Sequence, residues 1–429
     1  MDIEEFTRTI NNGLGRAIVW LRDHPWPPYA EAIRNVCLHN TAYDAQCEGS
    51  RAEYVYDIIG LTDAPGQFAE VTAKGLLASK DFWDTSHLYH LARLLAQSGN
   101  AVTREAMYAK FKQDDAEEHF IGADQLIRLD GMAGLLFVLK QIGQWTQAHP
   151  DYWEDDRLLR EAQEVLGDDV MPAVARAAQT NPDIASYMAA VEKWKRECGD
   201  RPPTPKWEHF AYAELRQQIV EKPSAVPRFL PSVWGRKAPE ESLRQAAADL
   251  LAENDPQRLV PYLRIFDRRA FPLGPQRLVE LATAENASIA HAARRALRHV
   301  QHDSVRALAM MLIEQGKADG DVVRLLVRNY AAGDEMVIES PLVAQTDEED
   351  LHWMCHAAVE VFESNEDAKA LPVLLQVYER CRCSICRNAA VRVLMKRHVM
   401  PECMSEECRY DSNEDTRKLV AQCSKSSSS

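Results

Sequence analysis

The chain has 429 residues, a formal net charge of −15 at pH 7 and 46% hydrophobic residues. This hydrophobic fraction excludes a largely disordered chain, and no apolar run reaches the ~18 residues that a membrane-spanning helix needs. The negative charge disfavours binding of nucleic acid, because proteins neutralise phosphates with a cationic surface. The first five residues are acidic, whereas a secretory or organellar signal is basic. We therefore expect a soluble cytoplasmic protein that does not enter a membrane.

Residues 1–198 show the apolar spacing of helices. Apolar residues recur at helical intervals within Ile10–Leu21, within Tyr54–Ile59 and from Met132 to Ile142. Asp84-Thr85-Ser86 suits the start of a leucine-striped helix that Gly99-Asn100 would end. Because no stretch alternates with a period of two, we predict an all-α protein. The first 198 residues are then an N-terminal helical lobe, built either from degenerate repeats or as a separate fold.

Two further features of this lobe have simple interpretations. His87 and His90 lie three residues apart on the leucine-striped helix, and we expect both at the protein surface. Residues 151–169 carry eight acids against two arginines. Such a run is most often the solvated face of a helix.

Prolines interrupt the chain between residues 199 and 240. Proline fixes φ and lacks an amide donor, so this stretch cannot be one continuous helix. A short helix fits between the prolines from Ala211 to Val220. Large aromatic residues predict that the segment packs against its neighbours: Trp207, Phe210, Phe229 and Trp234. We interpret residues 199–240 as an ordered joint between two helical lobes.

From residue 241 onwards, alanine-rich segments alternate with leucine-rich ones. Alanines let helices approach closely, and the leucines of a neighbouring helix fill the space between layers. One helix pair cannot bury its apolar face alone, so several pairs must stack. We predict stacked antiparallel helix pairs over residues 241–423 and a disordered serine-rich tail at 424–429.

Two segments carry the clearest copies of this alternation. Leu278-Val279-Glu280-Leu281 leads to His291-Ala292-Ala293-Arg294-Arg295-Ala296-Leu297, and Leu371-Pro372-Val373-Leu374-Leu375 leads to Cys386-Arg387-Asn388-Ala389-Ala390-Val391. Residues 241–400 thereby resemble HEAT repeats of the armadillo-like class. The resemblance implies a right-handed α-solenoid. It also implies a non-catalytic scaffold or adaptor whose surface binds a protein partner.

A basic stretch lies inside this acidic protein. Residues 256–310 carry nine arginines against four acids. Arginine combines a planar donor fork with an apolar stem, which suits carboxylates on a partner. The candidate partner-binding residues are Arg264, Arg268, Arg269, Arg294, Arg295 and Arg298. The alternatives are a solvated helix face, pairing with acids of the same chain, or an anionic ligand or nucleic acid. Binding of nucleic acid would resemble the HEAT-like DNA glycosylases, which bind DNA on a basic concave surface.

Sequence signatures of enzymes are missing. The chain lacks the phosphate-binding, dinucleotide-binding, serine-hydrolase and zinc-protease motifs. None of its 13 histidines precedes a glutamate, although HEAT-like di-iron hydroxylases carry repeated His-Glu pairs. We therefore expect no catalytic residue and no cofactor.

Cysteine is the unusual residue type, because seven of the ten cysteines lie after residue 350. Cys381-x-Cys383-x-x-Cys386 precedes Cys403 and Cys408, and these five thiols are candidate zinc ligands. His398 is a candidate fourth ligand, and His352 with His356 forms a separate i, i+4 pair. Cys403 and Cys408, the second half of this candidate motif, depart from the usual Cys-x-x-Cys spacing. Cys386 also begins a helix in which a thiol packs well. We expect ordinary thiols, with a zinc site and a redox pair as alternatives.

Overall fold

A computed structural model describes residues 1–113, 120–149, 151, 154–199, 210–366 and 369–426. Every regular element in these ranges is a helix, which confirms the all-α prediction. None of the described helices is long and apolar enough to cross a membrane. The chain divides into two compact units. Unit 1 comprises Met1–Pro202 and Glu402–Ser429, and unit 2 comprises Pro203–Pro401.

Unit 1 begins with thirteen described α-helices. Their bounds are α1 Ile3–Asn12, α2 Arg16–Asp23, α3 Ala30–Leu38, α4 Ala45–Glu48, α5 Ala52–Gly60, α6 Pro65–Ala78, α7 Phe82–Gln97, α8 Ala101–Gln113, α9 Ala123–Asp130, α10 Met132–Ala148, α11 Arg157–Leu166, α12 Val170–Thr180 and α13 Pro182–Gly199. Their apolar faces meet in two clusters, one centred on α1–α7 and the other on α6–α13. Helix α10 confirms the helix predicted from Met132.

Unit 2 contains twelve described α-helices. Their bounds are α14 Tyr212–Glu221, α15 Leu230–Lys237, α16 Glu240–Ala252, α17 Pro256–Arg264, α18 Gln276–Leu281, α19 Ala287–Leu297, α20 Asp303–Glu314, α21 Gly320–Arg324, α22 Asp334–Ala344, α23 Glu348–Ser364, α24 Leu371–Arg380 and α25 Ser384–Lys396. A 3₁₀ turn at Leu325–Val327 extends α21. The remaining helices, α26 Glu402–Cys408 and α27 Glu414–Ser426, belong to unit 1.

Helices of unit 2 contact both their chain neighbours and the helices two positions away. The odd-numbered helices form one continuous series of contacts from α17 through α19, α21 and α23 to α25. The even-numbered helices contact each other from α18 to α20 and from α22 to α24. Ala246, Ala247, Ala293, Ala357 and Ala358 are fully buried, so the small residues lie where the pattern predicted helix contacts.

The segment predicted as a joint is part of unit 2. Helix α14 confirms the short helix predicted there, and it contacts α16 and α17. Trp234 is buried, and its indole N–H donates to the Phe210 carbonyl at 2.8 Å. Phe229 is exposed instead of packed, and Trp207 lies outside the described residues.

The repeat array was predicted to continue to residue 423, whereas unit 2 ends at Pro401. Residues 402–423 were assigned to the stack, but α26 and α27 pack within unit 1. Helix α27 also reaches Ser426, so the first residues of the predicted disordered tail are helical. Residues 427–429 lie outside the described part of the chain.

Packing of α26 explains why the apolar run Ile10–Leu21 is not one helix. Helix α1 ends at Gly13, whose φ of 71° is left-handed, and α2 begins three residues later. The backbone N–H of Ser412 donates to the Gly13 carbonyl at 2.8 Å. A Cβ at Gly15 would lie 1.9 Å from the carbonyl oxygen of Glu407. Two glycines thus let the returning chain approach this turn.

We expect Gly15→Ala to lower the free energy of unfolding by about 2 kcal/mol, because the methyl group overlaps the Glu407 carbonyl. Gly66→Ala is the matched control, since no atom of the described residues outside its own stretch of helix lies within 4 Å of the Cβ position there. Chemical denaturation of both variants measures the effect. Equal denaturation midpoints would contradict the close approach of α26.

Helix α7 differs from its prediction in two respects. Its N-cap is Asp81, whose carboxylate accepts from the amides of Trp83 and Asp84, so the helix begins one turn earlier than expected. His87 was expected at the surface but is buried. Its Nε2–H donates to the Val36 carbonyl at 2.9 Å, and its Nδ1 accepts from the Ser50 hydroxyl at 3.0 Å. These two bonds use the neutral ring.

Burial of His87 makes unit 1 sensitive to acid. Burial lowers the pKa of His87 from 6.5 to about 4, so the unfolded chain binds more protons than the folded chain between these values. We expect the free energy of unfolding to fall as the pH drops from 6.5 to 4, by up to about 3 kcal/mol from this residue. Denaturation curves across this range should be less pH-dependent for His87→Gln than for the control His24→Gln, which changes an exposed ring. Equal slopes for the two variants would refute this role.

Candidate functional site

Half of the candidate partner-binding arginines pair with acids of unit 2. The distances between nitrogen and carboxylate oxygen are 3.6 Å for Arg269 and Glu240, 2.9 Å for Arg294 and Asp319, and 3.1 Å for Arg295 and Asp267. Two of these acids lie outside residues 256–310. The local excess of arginines in the sequence therefore does not produce an equal excess of free positive charge.

Arg294 supports the helix pair that contains it. Its side chain is only 12% exposed, and its Nε–H donates to the Ala282 carbonyl at 3.1 Å. Ala282 caps the C-terminus of α18, while Arg294 lies on α19. The guanidinium thereby links the end of one helix to the next helix and to Asp319, the N-cap of α21.

Arg294→Glu should lower stability without testing a binding surface. The reversed charge would face Asp319 and leave the Ala282 carbonyl without its donor, so we expect a loss of about 2–4 kcal/mol. Arg268→Glu makes the same charge change at an exposed position and serves as the control. Thermal denaturation should give a clearly lower Tm only for Arg294→Glu; similar Tm values would remove Arg294 from the helix contact.

Arg264 and Arg298 flank the ion pair of Asp267 and Arg295. Burial raises the pKa of Asp267 although all three guanidiniums oppose the shift. Burial also lowers the pKa of Arg264 and of Arg298. No described carboxylate lies within 4 Å of either guanidinium. A buried carboxylate is thus surrounded by three cations, two of which are not neutralised by direct pairing.

Arg298 also lines a cavity of ≈ 230 Å³ between the end of α19, the 3₁₀ turn and the last turns of α23. Its lining residues are Arg298, His299, Val327, Arg328, Glu360, Glu363 and Ser364. The Arg298 Nε–H donates to His299 Nε2 at 2.9 Å. Arg328 is exposed, and no carboxylate of the described residues lies within 4 Å of it. We call this the first cavity.

A second cavity of ≈ 350 Å³ lies between α23 and α25. Its lining residues are Phe362, Glu363, Glu366, Arg392, Val393, Lys396 and Arg397. Glu363 lines both cavities and pairs with Arg392 at 2.7 Å. The two cavities therefore adjoin each other across the end of α23, and basic side chains lie on both sides of that helix.

A separate group of thiols and one imidazole lies where α23 meets the turn between α24 and α25. The ligand atoms of His352, Cys383 and Cys386 all lie within 4.8 Å of one another. The Cys386 thiol is 3.7 Å from His352 Nδ1. Cys381 and Cys355 are near enough to affect the ionisation of these residues, so four cysteines belong to the group. All four thiols are buried, and His352 is partly exposed.

Hydrogen bonds within this group change the pKa of its members in opposite directions. Bonds from Cys355 and Cys386 hold the pKa of the Cys381 thiol well below its usual value. Bonds to Cys381 and Cys383 raise the pKa of His352 to about 9. Bonds to Cys381 also raise the pKa of Cys355 and of Cys386.

Only part of the predicted ligand set comes together. Cys403 and Cys408 were candidate ligands, but both lie on α26 of unit 1. His398 follows the C-terminus of α25, whereas Cys386 is in its first turn. Twelve residues of helix separate them by about 18 Å. His356 pairs with Glu360 at 3.2 Å and does not share a site with His352.

His352 and Cys355 belong to the group but are not among the five predicted zinc ligands. They lie three residues apart on α23, so both point to the same side of that helix. The spacing His352-x-x-Cys355 was the available signal. The i, i+4 spacing of His352 and His356 is the more conspicuous pattern and points to a different pair of side chains.

No protein family, no curated protein and no solved structure matches this chain. The chemistry of the cavities and of the thiol group is therefore the basis for a functional assignment.

Proposed function

We propose that unit 2 is a right-handed α-solenoid of HEAT type that binds an acidic segment of a protein partner without catalysis. The continuous contacts among α17, α19, α21, α23 and α25, with the even-numbered helices beside them, support stacked antiparallel pairs. Such a stack presents successive helices along one surface. The first and second cavities occupy the surface formed by α19, the 3₁₀ turn, α23 and α25.

The proposal depends on Arg298 and Arg328, because neither guanidinium forms an ion pair with a described carboxylate. Both guanidiniums line the first cavity, and neither has a described carboxylate within 4 Å. Elsewhere in the basic stretch, arginines such as Arg294 and Arg295 are already paired. Two unpaired guanidiniums in one cavity have donor capacity left for a carboxylate that comes from outside.

The second cavity extends this surface by one helix. Arg392 and Lys396 contribute positive charge from α25, each opposite a glutamate of the chain. Packed helices are about 8–10 Å apart, and an extended peptide advances ~3.3 Å per residue. An acidic side chain at about every third position of a partner would thus meet a new helix of unit 2. This spacing defines the expected ligand as an extended acidic segment.

The carboxylates of the cavities are suited to holding charge and not to transferring protons. Although burial opposes it, contacts with His356 and Arg324 hold the pKa of Glu360 at about 2. A group with so low a pKa remains ionised at neutral pH and is a poor general acid. Glu363 is similarly engaged, by Arg392. These pairings support recognition without turnover.

A charge-reversal experiment tests the proposed surface. We expect the double variant Arg298→Glu/Arg328→Glu to weaken binding of a fluorescein-labelled deca-glutamate peptide by about tenfold or more, because two favourable contacts become repulsive. Fluorescence anisotropy at low and high salt gives the affinity. The control Arg236→Glu/Arg268→Glu makes the same charge change at exposed residues outside both cavities.

The results separate an acidic peptide from a nucleic acid. Weakened peptide binding by the cavity variant, with the Tm and the binding of the control variant unchanged, supports the proposal. Equal loss in both double variants would mean that only net charge matters. Tighter binding of a 20-base-pair DNA duplex than of the peptide would favour the nucleic-acid alternative and contradict the proposed partner.

A further inference from the structure

We propose that unit 2 binds a structural zinc ion through His352, Cys383 and Cys386, with Cys381 as the fourth ligand. This site is independent of the proposed partner-binding surface. It rests on the positions of one imidazole and two thiols from separate parts of the chain, and on a third buried thiol in the same turn as Cys383.

The spacing of the donor atoms is that of a tetrahedral zinc site. Zinc bonds to thiolate sulfur at ~2.3 Å and to imidazole nitrogen at ~2.0 Å, so neighbouring ligand atoms lie about 3.5–3.8 Å apart. The distance between the Cys386 sulfur and His352 Nδ1 is 3.7 Å, and the three donors lie within 4.8 Å of one another. A movement of about 1 Å or less by the most distant pair therefore gives zinc geometry.

Cys381 completes the ligand set. It is buried and lies two residues before Cys383 in the same turn. Its sulfur is not in the set of donors that lie within 4.8 Å of one another, so binding requires this turn to move toward the ion. Three cysteines with one histidine form a common set for structural zinc. Sulfur and imidazole donors also select zinc over magnesium or calcium, which prefer oxygen ligands. The type of the donor atoms and their number therefore both suit zinc.

Arg387 holds the segment that carries two of these ligands. It is 1% exposed, and its Nη1 donates to the carbonyls of Cys381 and Arg382 at 3.1 and 2.9 Å. These bonds fix the turn between α24 and α25, as the outer partners of metal ligands do. Zinc with three thiolates and one imidazole has a net charge of −1, and the buried guanidinium beside the turn compensates it.

A redox pair is the main competing use of these cysteines. Cys383 and Cys386 form a Cys-x-x-Cys motif at the start of α25, which is a known arrangement for reactive thiols. However, a disulfide involves only two sulfurs, whereas here an imidazole converges on the same point as the two thiols. Both cysteines are also buried, which restricts the access of an exchange partner. The full group is therefore better explained by a metal.

Metal analysis of the purified full-length chain tests this site. We expect about one zinc per chain by mass spectrometry of the elements, and an intense thiolate-to-cobalt charge-transfer band after replacement by Co²⁺. Cys383→Ser/Cys386→Ser and, separately, His352→Ala should each lower zinc affinity by about tenfold or more. The control Cys47→Ser/Cys403→Ser removes two exposed thiols and should retain zinc.

Several outcomes would overturn the proposal. They are a chain free of zinc after expression in zinc-supplemented medium, equal loss of zinc in the control variant, or a Cys383–Cys386 disulfide in the purified protein. If the double cysteine variant does not fold, His352→Ala and the cobalt spectrum of the parent chain decide, because His352 is partly exposed. None of these measurements uses a protein partner, so the zinc proposal and the binding-surface proposal can be refuted independently of each other.

Discussion

Unit 2 depends on close contact between helices that lie two positions apart in the chain. Fully buried alanines such as Ala293 and Ala358 allow this contact, because a larger side chain would push the backbones apart. When the odd-numbered helices pack in a continuous series, their polar residues must lie along the same exposed surface. The cavities at α19, α23 and α25 follow from that arrangement. Their chemistry is set by which charges find partners inside the unit.

The local pattern of residues was enough to predict the helices and the buried alanines. It failed where a distant segment decides the local structure. The break at Gly13 and Gly15 depends on α26, almost 400 residues later in the chain, which no helical period reveals. His87 resembles a surface histidine on a helix, yet Val36 and Ser50 supply partners for a buried ring.

In the candidate site, too, the local sequence predicted the contacts between near residues but not those between distant ones. Cys383 and Cys386 are three residues apart, so their short spacing alone brings the two thiols close together. Cys403 and Cys408 are nearly as close in sequence, but the chain enters unit 1 after residue 401. His352 is 29 residues before Cys381 and joins the group only because α23 contacts both α24 and α25. Likewise, Glu240 and Asp319 neutralise arginines whose sequence neighbourhood contains few acids.

Helix α23 connects the two proposals. Its first two turns carry His352 and Cys355, and its last turns carry Glu360 and Glu363 of the cavities. A rise of about 1.5 Å per residue places these groups ~8–16 Å apart along one rigid helix. The proposed zinc ion would fix the beginning of α23 against the turn before α25. The same ion would thus define the separation of the two helices between which the second cavity lies, because a helix transmits displacement along its axis far better than a loop does.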